Sequence, residues 1–174
     1  MSGKLERECR GIYREAFCDP NDIFENKLFG CCFKYCRVLK ENGSAAAMLF
    51  ALPCSIYGDD GSAFSAVYIY AAATKAEYRG RGLMSSLIES LKAEGKPLFL
   101  VPANAGLVGF YQKLGFVPFN ASAGEESGIR AVPQGGFADL AQSEEKSRKP
   151  LFRAMFFSNN VGAPENMYFP YLME

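Results

Sequence analysis

The sequence predicts an α/β fold in a single domain spanning residues 1–174. Three observations carry this reading. Residues 31–40 and 44–53 are apolar runs joined at Glu41-Asn42-Gly43, and Asn-Gly between such runs signals a hairpin. Residues 64–74 form a further strand-like run, followed closely by a helix-period segment from Leu83. Residues 98–116 repeat the strand-then-helix order. A chain of 174 residues is long enough to bury a sizeable core.

In chain order, residues 4–17 predict an amphipathic helix, with Leu5, Cys9, Ile12, Tyr13, Ala16 and Phe17 at helical spacing. Asp19-Pro20 ends it. Asp22 and Glu25 fit a capping box for a second helix carrying Phe24, Leu28 and Phe29. Strands follow at 31–40 and 44–53, the second so apolar (Ala45 to Leu52) that it is expected to be covered on both faces. Gly58-Asp59-Asp60-Gly61 turns the chain into the strand at 64–74. Leu83, Met84, Leu87, Ile88 and Leu91 share a helix face, with Gly95 as terminus and Pro97 just beyond. Strand 98–101 leads to Asn104, a candidate cap for a helix burying Leu107, Phe110, Tyr111 and Leu114. Residues 116–120 start another strand. The stretch 121–150 is rich in Gly, Ser, Glu and Lys and is expected to be a loop, with a short strand at 129–132. Residues 151–157 and 167–173 are expected to be closing strands.

The most informative residues are Glu77-Tyr78-Arg79-Gly80-Arg81-Gly82-Leu83-Met84. A glycine-bearing turn between strand and helix presents free backbone N–H groups and the positive end of a helix dipole, which suits a pyrophosphate. Arg79 and Arg81 add charge and forked donors, or leave recognition to the backbone with their side chains in solvent. The run is not a dinucleotide fingerprint, because Ser85 stands where the third glycine belongs, and no Gly-Lys-Ser/Thr follows as in a Walker loop.

Composition narrows the partners. Formal net charge is zero, which argues against a nucleic-acid surface built on Arg79 and Arg81. No stretch reads as a membrane span, and the polar N-terminus lacks the apolar region of a signal peptide, so a cytoplasmic setting is expected. The six cysteines (Cys9, Cys18, Cys31, Cys32, Cys36, Cys54) contain no Cys-x-x-Cys, and the chain has no histidine. That predicts reduced thiols and no metal site.

Arg79, Gly80, Arg81, Gly82 and Leu83, together with Asn104, Phe110, Tyr111, Lys113, Gly115 and Phe116, resemble the two signature motifs of the GNAT family of N-acetyltransferases. The resemblance is specific over residues 64–119, and Met84 departs from the Gly or Ala that usually closes the loop. It implies a single-domain GNAT-like fold: a central mixed, mostly antiparallel sheet flanked by helices. It implies acetyl-CoA as co-substrate, with coenzyme A's pyrophosphate on the amides of Arg79, Gly80, Arg81, Gly82, Leu83 and Met84, and a hydroxyl from Ser85 or Ser86. The acetyl-carrying arm would lie between strands 68–74 and 98–102, near the amides of Ala72, Ala73 and Thr74. Tyr111 corresponds to the family's general acid, the alternative being a core tyrosine. Asn104 is a helix cap, a contact to the arm, or both.

The implied function is N-acetylation of a primary amine on a small molecule or peptide, by a monomer or homodimer. The alternative is an acyl-CoA-binding regulatory module of the same fold without catalysis. The base is open: with no histidine it falls to a carboxylate, a tyrosine, a water chain or the carboxylate end at Glu174. Glu25, Asp59, Asp60, Glu125 and Glu126 are expected to be solvated surface groups.

Overall fold

The computed structural model describes residues 2–18, 22–58, 61–122, 129–142, 152–159 and 166–168. Helices α1 (Ser2–Phe17) and α2 (Asp22–Cys32) come first. Strands β1 (Cys36–Glu41), β2 (Ser44–Tyr57) and β3 (Ala63–Thr74) form an antiparallel meander. Then come α3 (Leu83–Lys92), β4 (Leu98–Leu100), α4 (Val108–Lys113) and β5 (Val117–Ser122). The described chain continues through β6 (Ile129–Pro133), α5 (Gly136–Gln142), β7 (Phe152–Phe157) and β8 (Asn166–Tyr168).

The hairpin at residues 41–44 has the expected chemistry. Asn42 and Gly43 both take positive φ, 50° and 79°, as a type I′ turn requires. β2 is the central strand, buried without interruption from Ala45 to Leu52. The eight strands run β1-β2-β3-β4-β7-β5-β8-β6, with β3–β4, β5–β8 and β6–β8 parallel and the other pairs antiparallel. β6 also pairs with β2, Cys54 opposite Pro133, so part of the sheet closes on itself.

Two clusters cover the sheet's faces. One packs α1, α2 and α5 around Phe29, Phe50, Tyr68, Phe99 and Phe137. The other packs α3 and α4 against Leu49, Ile69, Leu98 and Met155.

Two expectations are corrected, and a third is met as far as the described residues reach. Cys31 and Cys32 end α2 rather than begin a strand, because Leu28, Phe29 and Cys32 continue the buried helical spacing. Residues 121–150 are not simply a loop: besides β6, they hold α5, anchored by the wholly buried Phe137 and Leu140 at helical spacing. The closing strand at 167–173 begins at Asn166, and its residues 169–173 lie outside the described part.

Candidate functional site

β3 and β4 are paired only at Val67–Leu98 and Tyr68–Phe99. Beyond that point β3 runs on to Thr74, while β4 ends at Leu100. A β-bulge lies just past the last pair. Phe50 faces Tyr70 and Met48 faces Ala73, so Leu49 opposes both Ala71 and Ala72. Ala71 takes φ 50°, left-handed backbone that alanine adopts at a cost. A bulge bends its strand and raises the local twist. Here it falls where β4 ceases to accompany β3, so past Tyr68 the side of β3 away from β2 pairs with no described strand, and that unpaired side is the wedge.

Strand alternation settles which amides face the wedge. Lys75 N–H donates to the Ala46 carbonyl at 2.9 Å, and Ala73 is paired with Met48, so both backbones turn toward β2. Thr74 therefore turns its N–H and C=O away from β2, toward the wedge. Of the three residues expected to meet the acetyl-carrying arm, Ala73 offers its amide to the wrong side. Ala72 packs on the α3–α4 side and Ala73 on the α1–α2 side.

The chain then makes a short turn at Ala76–Tyr78 and the glycine loop. Gly80 and Gly82 take φ 74° and 77°, and Gly82 is the N-cap of α3. Both glycines are exposed, and a Cβ built on either meets nothing within 4 Å. Their role is backbone direction rather than tight packing. The first backbone hydrogen bond into α3 is Ser86 N–H to the Gly82 carbonyl, 2.9 Å. The amides of Leu83, Met84 and Ser85 thus precede any intrahelical acceptor, at the positive end of the helix dipole. Met84 packs its side chain against the core under α3, so departure from glycine there leaves the amide available.

Both loop arginines are exposed, and each has a contact within the protein. Arg79 Nε donates to the Thr74 carbonyl at 3.0 Å, and its Nη2 lies 3.5 Å from Glu15 Oε1. The Arg81 guanidinium sits 5.2 Å above the Tyr78 ring. Lys75 is held by Glu77 at 2.7 Å. Each of these cations thus has a contact within the protein while its side chain stays exposed or half-exposed.

Tyr111 lies in α4, near-buried, with its ring edge-on to Phe110 (5.1 Å) and Phe116 (5.9 Å). Burial pushes its phenol up to about 12. The group thus stays protonated across the neutral range, as an acid must. Asn104 sits at the start of the Ala105–Leu107 turn with extended backbone, and its carbonyl accepts from Leu107 N–H at 3.1 Å. Its side chain makes no capping bond, which removes the simple cap reading.

Glu25 overturns its expectation. It is 2% exposed, not a solvated surface group. Arg10 Nη1 reaches its Oε1 at 3.0 Å and Arg14 Nε its Oε2 at 2.7 Å. Burial alone would raise the carboxyl, but hydrogen bonds from Arg14 and Arg10 outweigh it and hold it below the ordinary value. A carboxylate so occupied is a tether between α1 and α2, not a base. Asp59, Asp60, Glu125, Glu126 and Glu174 lie outside the described residues. Glu15, which the sequence did not single out, proves to touch the loop. Its one signal was an acid in a helix's last turn, where the dipole disfavours it.

The comparisons agree with this geometry. The family model described as an acetyltransferase (GNAT) domain matches residues 8–119. The chain belongs to the GNAT acetyltransferase family. Members use acyl-CoA, and the fold is shared widely among solved GNAT structures. A ribosomal-protein-S18-alanine N-acetyltransferase from Escherichia coli aligns over 91% of this chain and 93% of its own, at 15% identity and TM-score 0.54. A histone acetyltransferase HPA2 and related acetyltransferase from Corynebacterium glutamicum aligns over 90% and 92%, at 16% identity and TM-score 0.56. A GCN5-related N-acetyltransferase from Kribbella flavida aligns over 71% of this chain at 18% identity and TM-score 0.56. This chain spans only 35% of that protein's length. No curated protein matches the sequence. Among the described residues no helix is long and apolar enough to cross a membrane, and no group of three His, Cys, Asp or Glu could hold a metal.

Proposed function

We propose that this chain transfers an acetyl group from acetyl-CoA to a primary amine of a small molecule or peptide. The observation that carries the reading is that β3 runs on past its last pair with β4, unpaired on that side, and leads into the glycine loop at the α3 N-terminus. In this reading the pyrophosphate meets the amides of Gly80 to Ser85, and the arm runs along β3 past Ala72 and Thr74. Arg79 and Arg81 contribute backbone, their side chains being engaged elsewhere. Tyr111 donates a proton to the departing thiolate, and Asn104, freed of a capping bond, is a candidate contact to the arm. Polarisation of the acetyl carbonyl falls to β3 amides in the wedge. Cytoplasmic action fits this co-substrate and a chain of unbridged thiols.

Acceptance of the amine's proton has no assigned residue. With no histidine in the chain and Glu25 consumed by two arginines, the reading calls for solvent or an unassigned carboxylate. The test is thiol release from acetyl-CoA against a panel of primary amines: small metabolites, drug-like amines and peptides with free N-termini. Release that depends on one acceptor class supports the reading. Tight coenzyme A binding with no release across the panel would favour a regulatory acyl-CoA-binding module instead.

A further inference from the structure

We infer that Glu15, in the last turn of α1, is a positioning residue that holds the cofactor loop in its binding shape. The inference rests on the functional reading above and adds a residue outside both signature motifs. Glu15 Oε1 accepts from the Ala76 N–H at 2.8 Å and from Arg79 Nη2 at 3.5 Å. Arg79 in turn donates through Nε to the Thr74 carbonyl at 3.0 Å. One carboxylate therefore braces the end of β3, the Ala76–Tyr78 turn and the first residue of the glycine loop. These are the segments that meet the acetyl-carrying arm and the pyrophosphate in the functional reading.

Two physical points single this contact out. An acidic side chain in a helix's last turn is disfavoured by the helix dipole, so its place there is offset by what it binds. The Ala76 amide is a charge-assisted donor at short range, the stronger kind of hydrogen bond, whereas the longer, half-exposed pair with Arg79 is worth little alone. The brace thus depends mainly on the Ala76 N–H. Arg79 is drawn to Glu15 and Thr74 instead of the anion, which leaves the amides free to set the geometry.

The experiment measures coenzyme A binding to the full chain by calorimetry, with melting temperature recorded for each variant. Glu15→Ala is expected to weaken binding about tenfold, the usual worth of a hydrogen bond to a charged group. Glu15→Gln keeps an acceptor for the Ala76 amide and is expected to restore affinity to within about threefold of the parent. Ala76→Pro deletes the donor instead, at a site where Lys75 (φ −53°, ψ 138°) already suits a following proline. It is expected to weaken binding as Glu15→Ala does. The inference is overturned if Glu15→Ala and Ala76→Pro bind as the parent does, even with lowered melting temperatures. It is also overturned if Glu15→Gln loses as much as Glu15→Ala, which would assign the effect to charge alone. If the parent protein itself fails to bind coenzyme A, the functional reading fails first and takes this inference with it.

Discussion

Gly80 and Gly82 stand in open space, while Gly135 is crowded by the end of a side chain and Gly136 by backbone. A Cβ on either loop glycine meets no atom within 4 Å, yet both take left-handed φ. A Cβ on Gly136 would collide with the Cys31 carbonyl, and one on Gly135 with the Tyr35 hydroxyl. The first pair turns the backbone into α3, where the proposed reading places the pyrophosphate; the second lets α5 close on the C-terminal end of α2. The same residue type thus sets backbone direction in one place and allows close packing in the other. Substitutions in the two regions should therefore separate cleanly into lost function and lost stability.

The largest expected effect tests the recognition side. Tyr111→Phe keeps the ring against Phe110 and Phe116 and removes the hydroxyl. Turnover is expected to fall roughly 10²–10⁴-fold, with coenzyme A affinity nearly unchanged. Near-parental turnover with a cognate amine would return Tyr111 to the core. With the phenol pushed up to about 12, its ionisation leaves the rate flat through pH 10. A basic limb below that belongs to another group, and exchanging the acceptor for one of different amine pKa identifies the substrate's share.

On the packing side, Gly136→Ala is expected to cost about 3 kcal/mol, because backbone rather than a pliable side chain must yield. Denaturant unfolding measures it, and a loss under about 0.5 kcal/mol would show that α5 shifts freely. Glu25→Ala follows at about 2 kcal/mol, less than a fully buried pair because Arg14 is well exposed. The Glu25 carboxyl is held low in the folded state, so its contribution is present above the ordinary glutamate range near pH 4–5. It is lost as pH falls through the folded value. The stability difference between parent and variant should therefore shrink below about pH 4. A difference independent of pH would contradict the ion-pair account.

Gly82→Trp is the smaller, complementary probe. It strains the backbone at φ 77° and crowds the exposed loop without striking the core. Coenzyme A should bind at least about tenfold more weakly to a folded variant. Unchanged affinity would remove the pyrophosphate from this loop. The least perturbing measurement is a thiol count under denaturing, non-reducing conditions, with six expected. A shortfall of two would direct attention to Cys9 and Cys36, which belong to the same packed cluster.

What the sequence revealed follows the range of the interaction. The hairpin at Asn42-Gly43, the loop at Gly80 and Gly82 and the α3 face from Leu83 to Leu91 are local patterns, readable from spacing. The bulge at Ala71 sits in a run of three alanines, where no glycine announces a left-handed residue. Glu25 reads locally as part of a capping box with Asp22. Its actual partners lie 15 and 11 residues back, on another helix. Glu15 finds Ala76 61 residues away. Phe137 and Leu140 are the only strong apolar anchors of a seven-residue helix in a polar stretch, too few for periodicity to speak.

The pairing of Cys54 to Tyr57 with Arg130 to Pro133 has a consequence for how the chain is made. As the polypeptide leaves the ribosome, β2 can find β1 and β3 early, since both are its neighbours in sequence. Its outer edge beyond β1 has no partner until the segment near residue 133 has been synthesised. Closing so long a loop is slow compared with zipping a hairpin. Through that interval the nascent chain carries an apolar strand with a bare edge, the feature most prone to pair with a second chain. Slowing translation before residue 133 is reached, or holding nascent chains short of it, should therefore expose an aggregation hazard that the folded chain conceals.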